Sequence, residues 1–100
     1  MNQAVLAALG PDGYLIHIAQ SRFYVEADLL AALSQGQIAG AAIDIFRGEP
    51  DINPKFIELP NVLLSPHVAA LTEAVLGARK QIVRENIIRF GARRALLCEL

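Results

Sequence analysis

The chain has a single cysteine, Cys98, and no tryptophan among its 100 residues. One cysteine excludes an internal disulfide framework and suits a reducing, cytoplasmic setting. No apolar run approaches the length of a membrane span. Residues 1–10 lack the basic start and the cleavage site of a signal peptide. A net charge of −1 removes any global pull toward nucleic acid. The two histidines, His17 and His67, have no nearby cysteines, so no metal site is expected. None of the seven glycines lies in a G-x-G-x-x-G turn. There is no internal repeat and no low-complexity tract.

Apolar residues make up 54% of the chain and charged ones only 19%. That is core-rich for one small domain, because small domains expose much of their surface. The expectation is surface meant to face other parts of a larger protein. Six of the nine basic residues fall late, at Arg79, Lys80, Arg84, Arg89, Arg93 and Arg94. They read as a solvated helix face with cations toward its C-terminal end, or as an anion or partner surface.

Residues 2–9 read as a helix ended by Gly10-Pro11, and residues 14–19 as a strand. Residues 26–34 read as a helix with Leu29, Leu30 and Leu33 on one face and Gly36 as its cap. Residues 38–46 read as a second strand, whose small residues let a helix pack closely. Residues 47–59 read as an irregular loop. In residues 60–67, Val62, Leu63 and Leu64 stand between two prolines, the pattern of a strand buried on both faces. Thr72 is the expected N-cap of a helix that runs to about residue 90, with Leu76, Val83, Ile87 and Phe90 along one side and Gly91 as its stop. Residues 95–100 read as an apolar tail without a partner in this chain. The alternation predicts an α/β fold with about three parallel strands, flanking helices, a long C-terminal helix and at least one naked sheet edge.

Polar residues follow the C-terminal ends of all three strands: Gln20, the stretch from Asp44 to Glu49, and His67. Ligands in open α/β sheets bind outside these ends. Pro66 holds Ser65 extended and stops the strand, which delivers His67 to the rim. A histidine there exchanges a proton near neutral pH, or is a loop residue without a role. Glu49 is a candidate carboxylate to orient His67, or a solvated loop residue. Asp44 interrupts an apolar strand, so it needs a polar partner. His17 reads as a packed or hydrogen-bonded strand histidine rather than a ligand.

Five blocks, in order, carry a family resemblance: Val5-Leu-Ala-Ala-Leu-Gly-Pro-Asp-Gly-Tyr-Leu-Ile, Glu26-Ala-Asp-Leu-Leu-Ala-Ala-Leu, Gly36-Gln-Ile-Ala-Gly-Ala-Ala-Ile-Asp-Ile-Phe, Gly48-Glu-Pro and Leu59-Pro-Asn-Val-Leu-Leu-Ser-Pro-His-Val-Ala. They resemble the last third of a D-2-hydroxyacid dehydrogenase, in the glyoxylate and hydroxypyruvate reductase branch. The resemblance implies the C-terminal part of a Rossmann-like, three-layer NAD(P)-binding domain over residues 1–91. Residues 92–100 are then a tail returning to a substrate domain. It implies NAD or NADP as cofactor and a small 2-oxo or 2-hydroxy acid as substrate. His67 matches the acid/base histidine and Glu49 its glutamate partner. Asp44 matches the aspartate at the nicotinamide carboxamide. Ile18, Ala19 and Gln20, and after the third strand His67, Val68, Ala69 and Ala70, match backbone along the nicotinamide.

Two departures accompany the resemblance. Gln20 stands where the family has the arginine that grips the substrate carboxylate, and a neutral amide cannot make that forked, charged contact. Without the glycine-rich turn, the phosphate-binding first βαβ unit is also absent. The expected function is therefore that of an NAD(P)-dependent reductase piece, inactive alone. The alternative is a non-catalytic remnant or interaction module docking on a full-length relative. A homo-oligomer fits either, and neither nucleic acid nor membrane is expected as a partner.

Overall fold

The computed structural model describes residues 1–98; the last two positions of the expected tail, Glu99 and Leu100, lie outside the described residues. The chain forms two compact units, one spanning Met1–Ala69 and one from Ala70 onward.

In the first unit, α1 (Gln3–Leu9) starts where the Asn2 side chain accepts a bond from the Val5 amide, and stops at Gly10 with φ 80°. The strand β1 (Tyr14–His17) follows. A single 3-10 turn (Ser21–Phe23) leads to α2 (Glu26–Ser34). Gly36, with φ 65°, lets the Gln37 amide turn back onto the Ala32 carbonyl at 2.8 Å, the six-to-one closure of a helix end. Next come β2 (Gly40–Ile43), α3 (Lys55–Glu58) and β3 (Val62–Leu64). The strands form one parallel sheet in the order β1-β2-β3. Register aligns His17 with Ile43 and Ile43 with Leu64, so the three carboxyl ends share one rim.

The core lies on one face of this sheet. Leu6 of α1, Leu29, Ala32 and Leu33 of α2, and Phe56 of α3 pack with Leu15, Ala41 and Ile43 of the strands. On the other face, Tyr14, Ile16 and Leu63 are 71%, 73% and 72% exposed. The third strand is thus open on one face, not buried on both, because the helices of its unit cover only the other. The first two strands are shorter than the expected runs: β1 ends at His17 and β2 at Ile43, and the residues that follow form the rim. The loop over residues 47–59 contains α3, whose Phe56 is among the most buried side chains. The small residues of β2 answer a strand neighbour as well as a helix. A Cβ on Gly40 would lie 2.6 Å from the Asn61 carbonyl oxygen.

The second unit holds α4 (Glu73–Gly91), capped by the Thr72 hydroxyl on the Val75 amide. Gly91 does not stop it. The left-handed residue is Arg93, φ 53°, and the Arg94 amide closes on the Arg89 carbonyl at 2.9 Å. The segment after it is not unpartnered either. Asn86 exchanges two bonds with the Leu97 backbone, and Arg89 donates to the Ala95 carbonyl while pairing with Glu85 at 2.7 Å. Backbone groups beside a helix are satisfied by its polar side chains wherever they are within reach.

The one-sided core gives a differential prediction. Phe56→Ala should lower the stability of the chain by about 3–5 kcal/mol, whereas Leu63→Ala on the open face should stay within about 0.5 kcal/mol. Urea unfolding of the two variants, followed by circular dichroism, checks this. Equal losses would place the core elsewhere.

Candidate functional site

The rim is built by the residues that leave each strand. Asp44 follows β2, and its backbone still continues the ladder: its amide donates to the His17 carbonyl, and its carbonyl accepts the His67 amide at 2.9 Å. Its side chain turns inward and is 4% exposed. The need for a partner is met three times. One oxygen, Oδ1, accepts from the Ser65 hydroxyl at 2.5 Å and the Val68 amide at 2.9 Å. The other, Oδ2, accepts from the Ala69 amide at 3.0 Å. The Ser65 bond, with help from the two amides, holds the carboxyl below its ordinary value against the cost of burial.

His67 sits inside this cluster with φ 56°. A non-glycine residue in the left-handed region costs about 1–3 kcal/mol and persists only when its surroundings over-determine it. Here they do, since the residues before and after it are bonded to one carboxylate. The turn aims the ring at Glu49, with Nδ1 2.8 Å from Oε2. The other oxygen, Oε1, accepts the Phe46 amide at 2.6 Å. That amide is the main reason the Glu49 carboxyl is held below its ordinary value, followed by His67. A carboxylate can only accept, so Nδ1 carries a hydrogen and Nε2 is left to exchange a proton. The pair is half-open to solvent, with His67 the more exposed.

Beside the pair lies a cavity of about 620 Å³, walled by Phe46, Pro50, Ile52, Leu64 and Pro66 as well as Glu49 and His67. A smaller hollow of about 70 Å³ opens among Ile16, Ile18, Ala42, Asp44 and Ala69. Of the expected site residues, the fold brings together Asp44, Glu49, His67, Val68 and Ala69. Ile18, Ala19 and Gln20 lie on the adjacent strand end, with Gln20 opening the 3-10 turn and exposed. Ala70 begins the second unit. Among the described residues no group of three or more His, Cys, Asp or Glu is placed to hold a metal ion. No helix of the described residues is long and apolar enough to cross a membrane.

Sequence reasoning passed over Ser65 and the Phe46 amide. Ser65 carried only a backbone signal, the residue before a proline, and a backbone amide carries none. His17 is packed, 3% exposed, with its ring edge-on to Tyr24 at 4.7 Å between centroids. Among the described residues its Nε2 has no hydrogen-bond partner. Burial lowers the His17 pKa.

Burial raises the Tyr24 phenol, and three groups, Asp44, Glu49 and His17, titrate lower folded than unfolded. Each therefore adds stability that is complete above its unfolded pKa and is lost as pH falls through the folded one. Denaturation midpoints should fall first below about pH 6.5, as His17 begins to bind its proton, and more steeply through the carboxylate range. Glu49→Gln should flatten the acid limb only. A urea series across pH measures both, and an unchanged acid limb in that variant would count against the depressed Glu49.

The family model for the NAD binding domain of D-isomer specific 2-hydroxyacid dehydrogenases matches residues 1–69. A 2-ketogluconate reductase of Gluconobacter oxydans is 40% identical over 97 residues, covering 97% of this chain and 31% of that protein. A glyoxylate/hydroxypyruvate reductase of Arabidopsis thaliana is 35% identical over 97% of this chain and 30% of its own length. Among solved structures, an NADPH-dependent glyoxylate/hydroxypyruvate reductase from Sinorhizobium meliloti, in complex with NADP and malonate, superposes with a TM-score of 0.87. It is 36% identical, over 99% of this chain and 31% of that one. The chain thus spans under a third of the curated relatives it matches.

Proposed function

The chain belongs to the D-isomer specific 2-hydroxyacid dehydrogenases through their NAD binding domain, and on that premise we propose that its rim serves NAD(P)-dependent hydride exchange with a small 2-oxo acid of the glyoxylate or hydroxypyruvate kind. The observation that carries this reading is the Glu49–His67 pair at 2.8 Å, at the carboxyl ends of a parallel sheet. His67 gives its Nε2 proton to the carbonyl oxygen during reduction and takes it from the hydroxyl in reverse. Glu49 keeps Nδ1 protonated and stabilises the imidazolium.

The reduced nicotinamide supplies the hydride when bound. The residues present fit its ring end. Exposed Ile18 and Val68 offer apolar surface beside the smaller hollow, with Ala19, Gln20 and Ala69 supplying backbone and Asp44 the nearest carboxylate for the carboxamide. Ala70 and the return of residues 92–100 to a substrate domain belong to the same proposal. No G-x-G-x-x-G turn is present to cradle the pyrophosphate. That task falls to a segment equivalent to the rest of the relatives' length. Gln20 offers an amide where the resemblance implies an arginine, and each charge-assisted hydrogen bond lost costs about 1.5–3 kcal/mol. A cytoplasmic setting suits the free Cys98.

A second reading has its own support. The open sheet face, with Tyr14, Ile16 and Leu63 in the light, suits an interaction module that docks on a full-length relative or a second copy.

The chain alone should not oxidise NADH or NADPH with glyoxylate or hydroxypyruvate. Grafted in place of the matching third of the Gluconobacter oxydans relative, it should support turnover. In that graft His67→Gln should lower kcat by about 10²–10⁴-fold. Gln20→Arg should lower KM in the graft but rescue nothing in the isolated chain. A folded graft indifferent to His67 would sink the dyad and leave the docking module.

A further inference from the structure

We propose that Ser65 is a positioning residue for His67, acting through the carboxylate of Asp44. Its importance for turnover rests on the reductase reading above, but its geometry does not.

Ser65 is two residues before His67, at the point where β3 ends. Its hydroxyl donates to Oδ1 of Asp44 at 2.5 Å, the shortest of the three bonds on that carboxylate. The other two donors are the amides of Val68 and Ala69, which lie immediately after His67. One carboxylate therefore grips the chain on both sides of the left-handed residue. The Asp44 carbonyl takes the His67 amide as well. Fixing the carboxylate from the strand side fixes the turn, and the turn sets where the ring lies.

Glu49 is anchored from the same segment. The Phe46 amide, two residues after Asp44, holds Oε1 while Oε2 meets Nδ1. Both members of the pair are thus referred to residues 44–46, one by a side chain and one by an amide. Among the described residues Ser65 is the one side-chain donor in the clamp on Asp44, and so the link that a substitution can remove without touching the backbone. Removing its hydroxyl leaves Oδ1 with a single donor. The carboxylate then turns, the amides of Val68 and Ala69 loosen, and the left-handed turn relaxes. Nδ1 is drawn away from Glu49.

A matched pair of variants isolates the hydroxyl. Ser65→Thr keeps Oγ, and Ser65→Val replaces it with a methyl group of similar size. In the full chain, proton NMR of ring-labelled histidine reads the His67 Nδ1–H signal sheltered by Glu49, and amide exchange reads Val68 and Ala69. We expect Ser65→Val to lose the Nδ1–H signal and to speed exchange at both amides by about tenfold or more. Ser65→Thr should hold both near the parent, and the rest of the amide spectrum should be unchanged in each. Retention of the signal and protection in Ser65→Val overturns the proposal. So does their loss in both variants, because the hydroxyl is then not what matters. A globally unfolded Ser65→Val overturns it too, because the residue then serves the whole unit. In the active graft, Ser65→Val should lower kcat by up to about 10²-fold with KM little changed, as expected for a misplaced reacting group. A graft without any turnover would defeat the reductase reading while the spectra still decide the role of Ser65.

Discussion

The buried carboxylate of Asp44 is the interaction on which the rim depends. An ionised group that is 4% exposed persists only if its lone pairs are met, because an unpaired buried charge is far more costly than a paired one. Ser65, Val68 and Ala69 meet them. The chain after β3 is thereby bent back over the end of β2, and the bend forces His67 into its left-handed conformation. The cost of that conformation is offset by bonds made one and two residues further on, so strain and its compensation sit within five residues of sequence. The same carboxylate explains why β2 ends where it does. Asp44 still pairs through its backbone, but its side chain is committed to the turn.

Much of this was legible beforehand. The alternation of helical and extended runs pointed to parallel strands, and α2 begins and ends where its leucine spacing and Gly36 indicate. The demand that Asp44 find a partner followed from one acid in an apolar run. The proximity of Glu49 and His67 followed from their places after neighbouring parallel strands. What could not be read is where propensity gives way to tertiary contact. α3 is four residues long, too short for a periodic signal, and it exists because Phe56 fills the core. The end of α4 carries an arginine in the left-handed region while Gly91 remains helical, because the returning segment bonds to Asn86 and Arg89. The partners of Asp44 are mostly amides, which no side-chain pattern announces.

The open face of the sheet follows from the same physics. Helices of the first unit can cover one face only, and a parallel sheet is ordinarily buried on both. Ile16, Ala42 and Leu63 form a cross-strand row on the uncovered side, with Tyr14 two residues before Ile16 on the same face. Such a row is poorly suited to water but well suited to a packed helix layer. Both the reductase reading and the docking reading need that face covered, by equivalent surfaces supplied from elsewhere.

The two halves of the proposed chemistry therefore have different structural ranges. Proton exchange at His67 is local. Every residue that orients it lies between Asp44 and Ala69, so the pair can be assembled by this unit without help. Hydride exchange is not local. Alignment of two reactants is worth about 7–11 kcal/mol, and it depends on the pyrophosphate cradle and the carboxylate grip, one lacking from this sequence and the other reduced to Gln20. General acid catalysis contributes about 10²–10⁴-fold, roughly 3–5 kcal/mol at 1.36 kcal/mol per factor of ten, which is the smaller part. On the proposed reading, the acid/base pair is thus the smaller contribution and alignment of the reactants the larger. In that reaction the rim supplies the proton, and holding both reactants against it is the task of the proposed cofactor and substrate surfaces.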